Sequence, residues 1–248
     1  MTLITVLKVA LKTISAIGFD ADDTLWESEI FFGEVENKFT QLIESYGVEG
    51  DIGQDLYATE KKNLAKFGYG VKSFTISMVE SAHHLTRGDL RSADTMQMVQ
   101  WGKDLLEHPV RLLPNVKEVL TSLQDTYFLL VITKGDPLHQ LQKFEDSGLA
   151  HLVEGIEILQ EKDSAAYRTV LEKIAVMPEH FLMVGNSVRS DILPVVEIGS
   201  HVVHIPHETT WQHETEYGET VHDRTYPVLE SIAGLPGFLN SLDSSELA

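Results

Sequence analysis

Three aspartates fall within four residues in the stretch Phe19-Asp20-Ala21-Asp22-Asp23-Thr24. Further along stand Thr133-Lys134-Gly135, a lone Lys162, and Gly185-Asn186-Ser187 followed by Asp191. Together they supply carboxylates, hydroxyls, one amide and two ammonium groups. Hard oxygen donors of this kind suit magnesium, and lysine with backbone N–H groups suits the oxygens of a phosphoryl group. The chemistry these residue types support is therefore metal-assisted handling of a phosphorylated ligand.

Each polar group follows an apolar run. Ile14 to Phe19, Tyr127 to Thr133 (YFLLVIT) and Phe181 to Gly185 (FLMVG) read as strands buried on both faces, with shorter strands at Glu154 to Leu159 and His201 to Ile205. Helical patterns alternate with them: a helix opened by Pro114 with Val116, Val119, Leu120 and Leu123 on one face, then Asp136 to Ser147 and Ser164 to Ile174. A terminal helix or turn is expected around Val228 to Leu239. Strand–helix alternation argues for a parallel sheet whose carboxyl ends converge on one crevice. The expected fold is α/β, with a Rossmann-like three-layer core.

Between the first and second strands the periodicity is helical for roughly eighty residues. Helices are expected from Phe32 to Tyr46, Gln54 to Lys66, Ser73 to Leu85 and Ala93 to His108. In the second, Leu56 and Leu64, with Phe67 just beyond, mark the apolar face. The chain is thus divided into a core of residues 1–26 and 110–248 and an inserted α-helical unit of residues 27–109.

Four motifs in this order resemble those of the haloacid dehalogenase-like hydrolase superfamily. Asp20 to Thr24 matches its DxDxT motif, Thr133 its strand-terminal hydroxyl residue, Lys162 its third-motif lysine, and Gly185 to Asp191 its GDxxxxD motif. The helical insertion falls where members with a C1 cap carry that cap. The resemblance implies that Asp20 is the nucleophile, forming an aspartyl phosphate, and Asp22 the acid and base. It also implies that Thr133 and the N–H after it hold a phosphoryl oxygen while Lys162 offsets charge. Magnesium would take Asp20, the Asp22 carbonyl, Asn186 and Asp191.

Halide leaves carbon without a proton, whereas an ester oxygen needs one, so Asp22 favours phosphate-monoester hydrolysis over dehalogenation. A phosphomutase would use the same pair, and a catalytically weak member that only binds a phosphorylated ligand is a further reading. Two departures from the family pattern stand out. Asn186 replaces an aspartate, and Lys162 precedes Tyr167 by five residues where many relatives have six.

Other residues carry weaker readings. Thr24, Lys134 and Gly135 are expected to contact substrate. In the turn Gly68-Tyr69-Gly70-Val71-Lys72-Ser73, Tyr69 and Lys72 are candidates to reach it from the cap, although the spacing is not that of a nucleotide loop. Asp22, Asp23 and Thr24 also suit a helix cap, the plainer role for Asp23. Five of the 11 histidines lie between His201 and His222, near Trp211, without the ligand spacing of a zinc site.

The bulk properties narrow the partners. Against 19 basic residues stand 38 acidic ones, a formal charge of −19, which repels nucleic acid and anionic membrane. With no cysteine there are no disulfides or thiolate nucleophiles, which fits a cytoplasmic location. Met1 to Leu11 is apolar but is broken by Lys8 and lacks the marks of a signal peptide. A small phosphorylated metabolite is the expected partner.

Overall fold

The computed structural model describes residues 13–209 and 226–245. Five parallel strands form one sheet in the order β3-β2-β1-β4-β5. They are β1 (Ala16–Phe19), β2 (Phe128–Lys134), β3 (Gly155–Leu159), β4 (Phe181–Gly185) and β5 (His201–His204). β1 lies in the middle, with Phe19 level with Val131 of β2 and Val184 of β4. The residues that follow these three strands therefore emerge side by side.

Alternation along each strand creates two apolar layers. Ile17, Phe19, Leu129, Val131, Leu182 and Val184 pack with α5 (Val116–Leu123) and with α9 (Leu235–Ser245) near the C-terminus. On the other face, Ala16, Leu130, Ile132, Phe181 and Met183 pack with α7 (Ser164–Lys173) and α8 (Leu193–Glu197). Helices thus cover both faces, as a parallel sheet requires. Gly18 allows the second layer to close over β1, because a Cβ there would sit 2.6 Å from Phe181 Cζ and 3.0 Å from Ile132 Cδ1.

Four helices form the insertion between β1 and β2: α1 (Glu29–Glu44), α2 (Ile52–Phe67), α3 (Val71–Leu85) and α4 (Ser92–Leu106). Their apolar cluster is separate from the sheet layers and includes Phe31, Phe39, Ile43, Leu56, Phe74, Met78 and Met98. The chain leaves and re-enters the core along one short ribbon, where Trp26 pairs antiparallel with Leu112 and Glu27 N donates to Arg111 O at 3.0 Å.

Two expectations differ from what is observed. The α5 helix begins at Val116 rather than at Pro114, because Asn115 takes a left-handed conformation (φ 66°) that cannot continue a helix backwards. On α2 the buried stripe is Ile52, Leu56, Glu60 and Asn63, while Phe67 is 50% exposed. Polar residues thus occupy half of the inward face of α2. A plain search for apolar periodicity passes over them.

Candidate active site

Asp20 follows β1 directly, its N–H donating to Val184 O at 2.9 Å, and this fixes it beside the end of β4. Lys162 is 5% exposed and reaches two carboxylates: it pairs with Asp20 Oδ1, and with Asp191 Oδ1 at 2.7 Å. It precedes α7, whose first turn is capped by Asp163 accepting from Ala166 N at 2.8 Å. Tyr167, one turn on, donates from Oη to Ser190 O at 3.0 Å and ties that helix to the segment carrying Asp191. The five-residue Lys162–Tyr167 spacing therefore still delivers the ammonium to Asp20.

Burial pushes Asp20 up to about 7, against the lowering pull of Lys162. The two neighbouring carboxylates outweigh burial at Lys162 and hold its ammonium protonated. Asp191 is fully buried and also accepts from Ser187 N at 3.0 Å. Its carboxyl occupies the space that a side chain at position 185 would need, which is why that strand ends in glycine.

Thr24 Oγ1 stands 3.2 Å from both Asp20 Oδ2 and Asn186 Oδ1, so these two oxygens face a common point. With the Asp191 carboxylate and the Asp22 carbonyl, the donor set consists of hard oxygens, as magnesium prefers. The amide at position 186 leaves the set one negative charge short of a carboxylate there. Among the described residues, no group of three or more His, Cys, Asp or Glu side chains is arranged to hold a metal.

Asp22 is held by three donors: Lys143 Nζ at 2.6 Å and Trp26 Nε1 at 2.6 Å on Oδ1, and Gln140 Nε2 at 3.1 Å on Oδ2. Burial raises its pKa, but Lys143 and the hydrogen bonds outweigh burial and the net shift is downward. Gln140 is 2% exposed, and its Nε2 also lies 2.7 Å from Thr133 Oγ1 and 2.6 Å from Lys134 O. Lys143 and Gln140 did not stand out in the sequence. They lie one turn apart on α6 (Pro137–Asp146), where a lysine and a glutamine look like ordinary surface residues.

Thr133 is buried at the end of β2, and Gly135 follows with φ 128°, a backbone conformation that favours glycine. Lys134 does not reach Asp20; its ammonium donates to Ser190 Oγ at 2.9 Å and lies 4.4 Å from the Tyr69 ring centroid. Tyr69 also donates to Glu161 Oε1 at 2.5 Å. Lys72 pairs with Asp136 Oδ2 at 2.8 Å and is not among the residues lining the cavity, whereas Tyr69 is. The turn before α3 therefore rests on the loops after β2 and β3.

Asp23 plays the capping role. Its left-handed backbone (φ 60°) turns the side chain so that it accepts from Ser28 N at 2.9 Å and Glu29 N at 3.1 Å, at the start of α1. His204 Nε2 lies 3.0 Å from the Asn186 carbonyl, and His207 Nδ1 lies 3.8 Å from Asp23 Oδ1. Trp211, His213 and His222 lie outside the described residues.

Asp20, Asp22, Thr133, Lys134, Gly135, Lys162, Asn186 and Asp191 all line one cavity of about 180 Å³. Its other wall comes from the insertion and includes Glu29, Phe32, Glu36, Glu60 and Phe74.

Comparison with known proteins is consistent with this arrangement. A family model described as haloacid dehalogenase-like hydrolase matches residues 14–199. A crystal structure of a haloacid dehalogenase-like hydrolase from Xanthomonas campestris is 35% identical, covers 94% of each chain and superposes with a TM-score of 0.84. The N-acylneuraminate-9-phosphatases of Mus musculus and Rattus norvegicus are each 24% identical, covering 95% of this chain and 97% of theirs. A predicted phosphoglycolate phosphatase from Haemophilus somnus shares the fold at 20% identity, with a TM-score of 0.63 over 92% of this chain and 99% of that one. With the family model covering both strand-end aspartates, Thr133, Lys162 and Asp191, the chain belongs to the haloacid dehalogenase-like hydrolase family.

Proposed function

We propose that the protein is a magnesium-dependent phosphatase acting on a small phosphate monoester through an aspartyl-phosphate intermediate. The observation that carries this reading is the pairing of Asp20, held by Lys162, with a second carboxyl at Asp22 on the same cavity. The curated phosphatase relatives support the reaction class; at 24% identity their sugar is not carried over. A cytoplasmic location belongs to the same reading, and no described helix is long and apolar enough to cross a membrane.

In this reading an Asp20 carboxylate oxygen attacks phosphorus and the ester P–O bond breaks, with Asp22 supplying the proton that the leaving oxygen needs. Asp22 then takes a proton from the water that attacks the aspartyl phosphate, and inorganic phosphate leaves with Asp20 regenerated. Thr133 Oγ1 and the backbone N–H groups of the Lys134-Gly135 turn bind the phosphoryl oxygens. Lys162 holds Asp20 oriented and offsets the charge that gathers on the transferring group. Bound by Asp20, the Asp22 carbonyl, Asn186 and Asp191, magnesium would supply further charge neutralisation.

For Asp22 to act as an acid, its contacts with Lys143 must loosen when substrate enters, because in this structure they favour the anion. The insertion of residues 27–109 serves as the cap that closes the cavity and excludes bulk water.

The test is hydrolysis of an aryl phosphate with magnesium or with EDTA. Turnover that needs magnesium and is abolished in Asp20→Asn is expected. Retained turnover in that variant would overturn the nucleophile, and turnover undiminished by EDTA would overturn the metal.

A further inference from the structure

The two ends of the cavity differ in their cations. At the end formed by the strand termini the ammonium groups of Lys134, Lys143 and Lys162 stand among the carboxylates of Asp20, Asp22 and Asp191; at the end formed by the insertion stand the carboxyls of Glu29, Glu36 and Glu60, with no lysine or arginine among the lining residues there. The three lysines each have partners, whereas the glutamates do not. Among the described residues, none of the three glutamate side chains has a hydrogen-bond or ion-pair partner.

Glu60 is the decisive residue. It is only 8% exposed, lies on the inward stripe of α2 where Leu56 and Asn63 flank it, and lines the cavity wall. A carboxyl so enclosed is normally matched by a donor. Its electrostatic neighbours are the acids Glu36 and Glu29, and burial, with Glu36, pushes it up to about 8. Neither acid supplies the cation that would hold it as an anion. Beside the acids, Phe32 and Phe74 line the same wall in an edge-to-face pair with centroids 5.2 Å apart, the kind of apolar, electron-rich surface that accepts an organic cation.

We propose that Glu60, with Glu36 and Glu29, forms a cation-binding subsite, and that the substrate is the phosphate monoester of a small alcohol carrying an ammonium group. The substrate is then a zwitterion aligned with the cavity: its phosphate meets the lysine end and its ammonium the glutamate end. A monoester carrying a second acid group at the far end is rejected, since it would place like charges in contact away from water. The inference rests on the phosphatase reading and adds the class of the alcohol to it.

Calorimetry with non-hydrolysable phosphonates tests the subsite independently of turnover. Aminoethyl-, aminopropyl- and aminobutylphosphonate are each compared with the hydroxyl counterpart, on the wild-type protein, Glu60→Gln and Glu36→Gln. The three chain lengths serve as a ruler for the distance between the two ends. At one length or more, the amino compound is expected to bind at least about tenfold tighter to the wild type, with that preference lost in Glu60→Gln and reduced in Glu36→Gln.

No preference at any length, no binding of either series, or a preference intact in both variants overturns the subsite. Should Glu60→Gln fail to fold, the Glu36→Gln comparison decides alone. Amine-selective binding without aryl phosphate turnover overturns the phosphatase reading and leaves the subsite standing; turnover without amine selectivity does the reverse.

Discussion

Replacing Glu60 by glutamine tests, through stability alone, whether an unpaired acid is buried in α2. The carboxyl normally titrates near 4.5 and is pushed up to about 8 here by burial and by Glu36. Between those two values the folded protein binds more protons at this site than the unfolded chain does. Unfolding free energy therefore falls as pH rises through that window and is flat on either side.

At about 1.4 kcal/mol per unit, the full shift sets a ceiling on the order of 5 kcal/mol. Relaxation around the site and sharing of charge with Glu36 bring the expected loss to about 1–3 kcal/mol. Glutamine has nearly the same shape and no charge. In urea unfolding followed by circular dichroism, Glu60→Gln should match the wild type within about 1 kcal/mol near pH 5 and exceed it by about 1–3 kcal/mol near pH 9. A variant that is less stable than the wild type at the higher pH, or a difference that does not change with pH, would refute the reasoning.

Three further outcomes are expected. Lys162→Met leaves Asp20 and Asp191 buried without their shared cation and should destabilise the fold by about 3–5 kcal/mol; a loss under about 1 kcal/mol in the same urea assay would deny the pairing. Asn186→Asp restores a negative charge to the proposed metal site, so calorimetry should show tighter magnesium binding, and equal or weaker binding would remove Asn186 from it. Because Lys143 holds Asp22 below its ordinary range, Lys143→Gln should let that pKa rise, moving the alkaline limb of the kcat/KM profile, where Asp22 loses the proton it donates to the leaving oxygen, to higher pH; an unmoved limb means that another group governs it.

The sheet and the order of the site residues were legible in the sequence because buried parallel strands are continuous apolar runs that end where the chemistry begins. Phe181–Gly185 was read to the residue, since FLMVG is followed at once by polar Asn186 and Ser187. Lys162 was legible from its motif and pairs with Asp20. Lys143 and Gln140 were hidden, because their partner Asp22 is more than a hundred residues away and no local pattern records that contact. Glu60 was hidden for a different reason: the periodicity of α2 was sought in its apolar residues, and the inward face is half polar. Lys72 carried a substrate reading, yet its ammonium lies on Asp136 at the edge of the insertion.

The ribbon at Trp26 and Leu112 also bears on how the chain finds its fold. Residues 20–127 separate β1 from β2, so pairing the two strands directly closes a very long loop, with an entropy cost on the order of 4 kcal/mol. Once α1 to α4 have collapsed on their own cluster, Glu27 and Arg111 are already neighbours, and only the short tethers 20–26 and 112–127 remain free. The logarithmic dependence then reduces that cost by roughly 1 kcal/mol. The four helices thus act as a folding clamp, lowering the effective contact order of the sheet whose crevice they overlie.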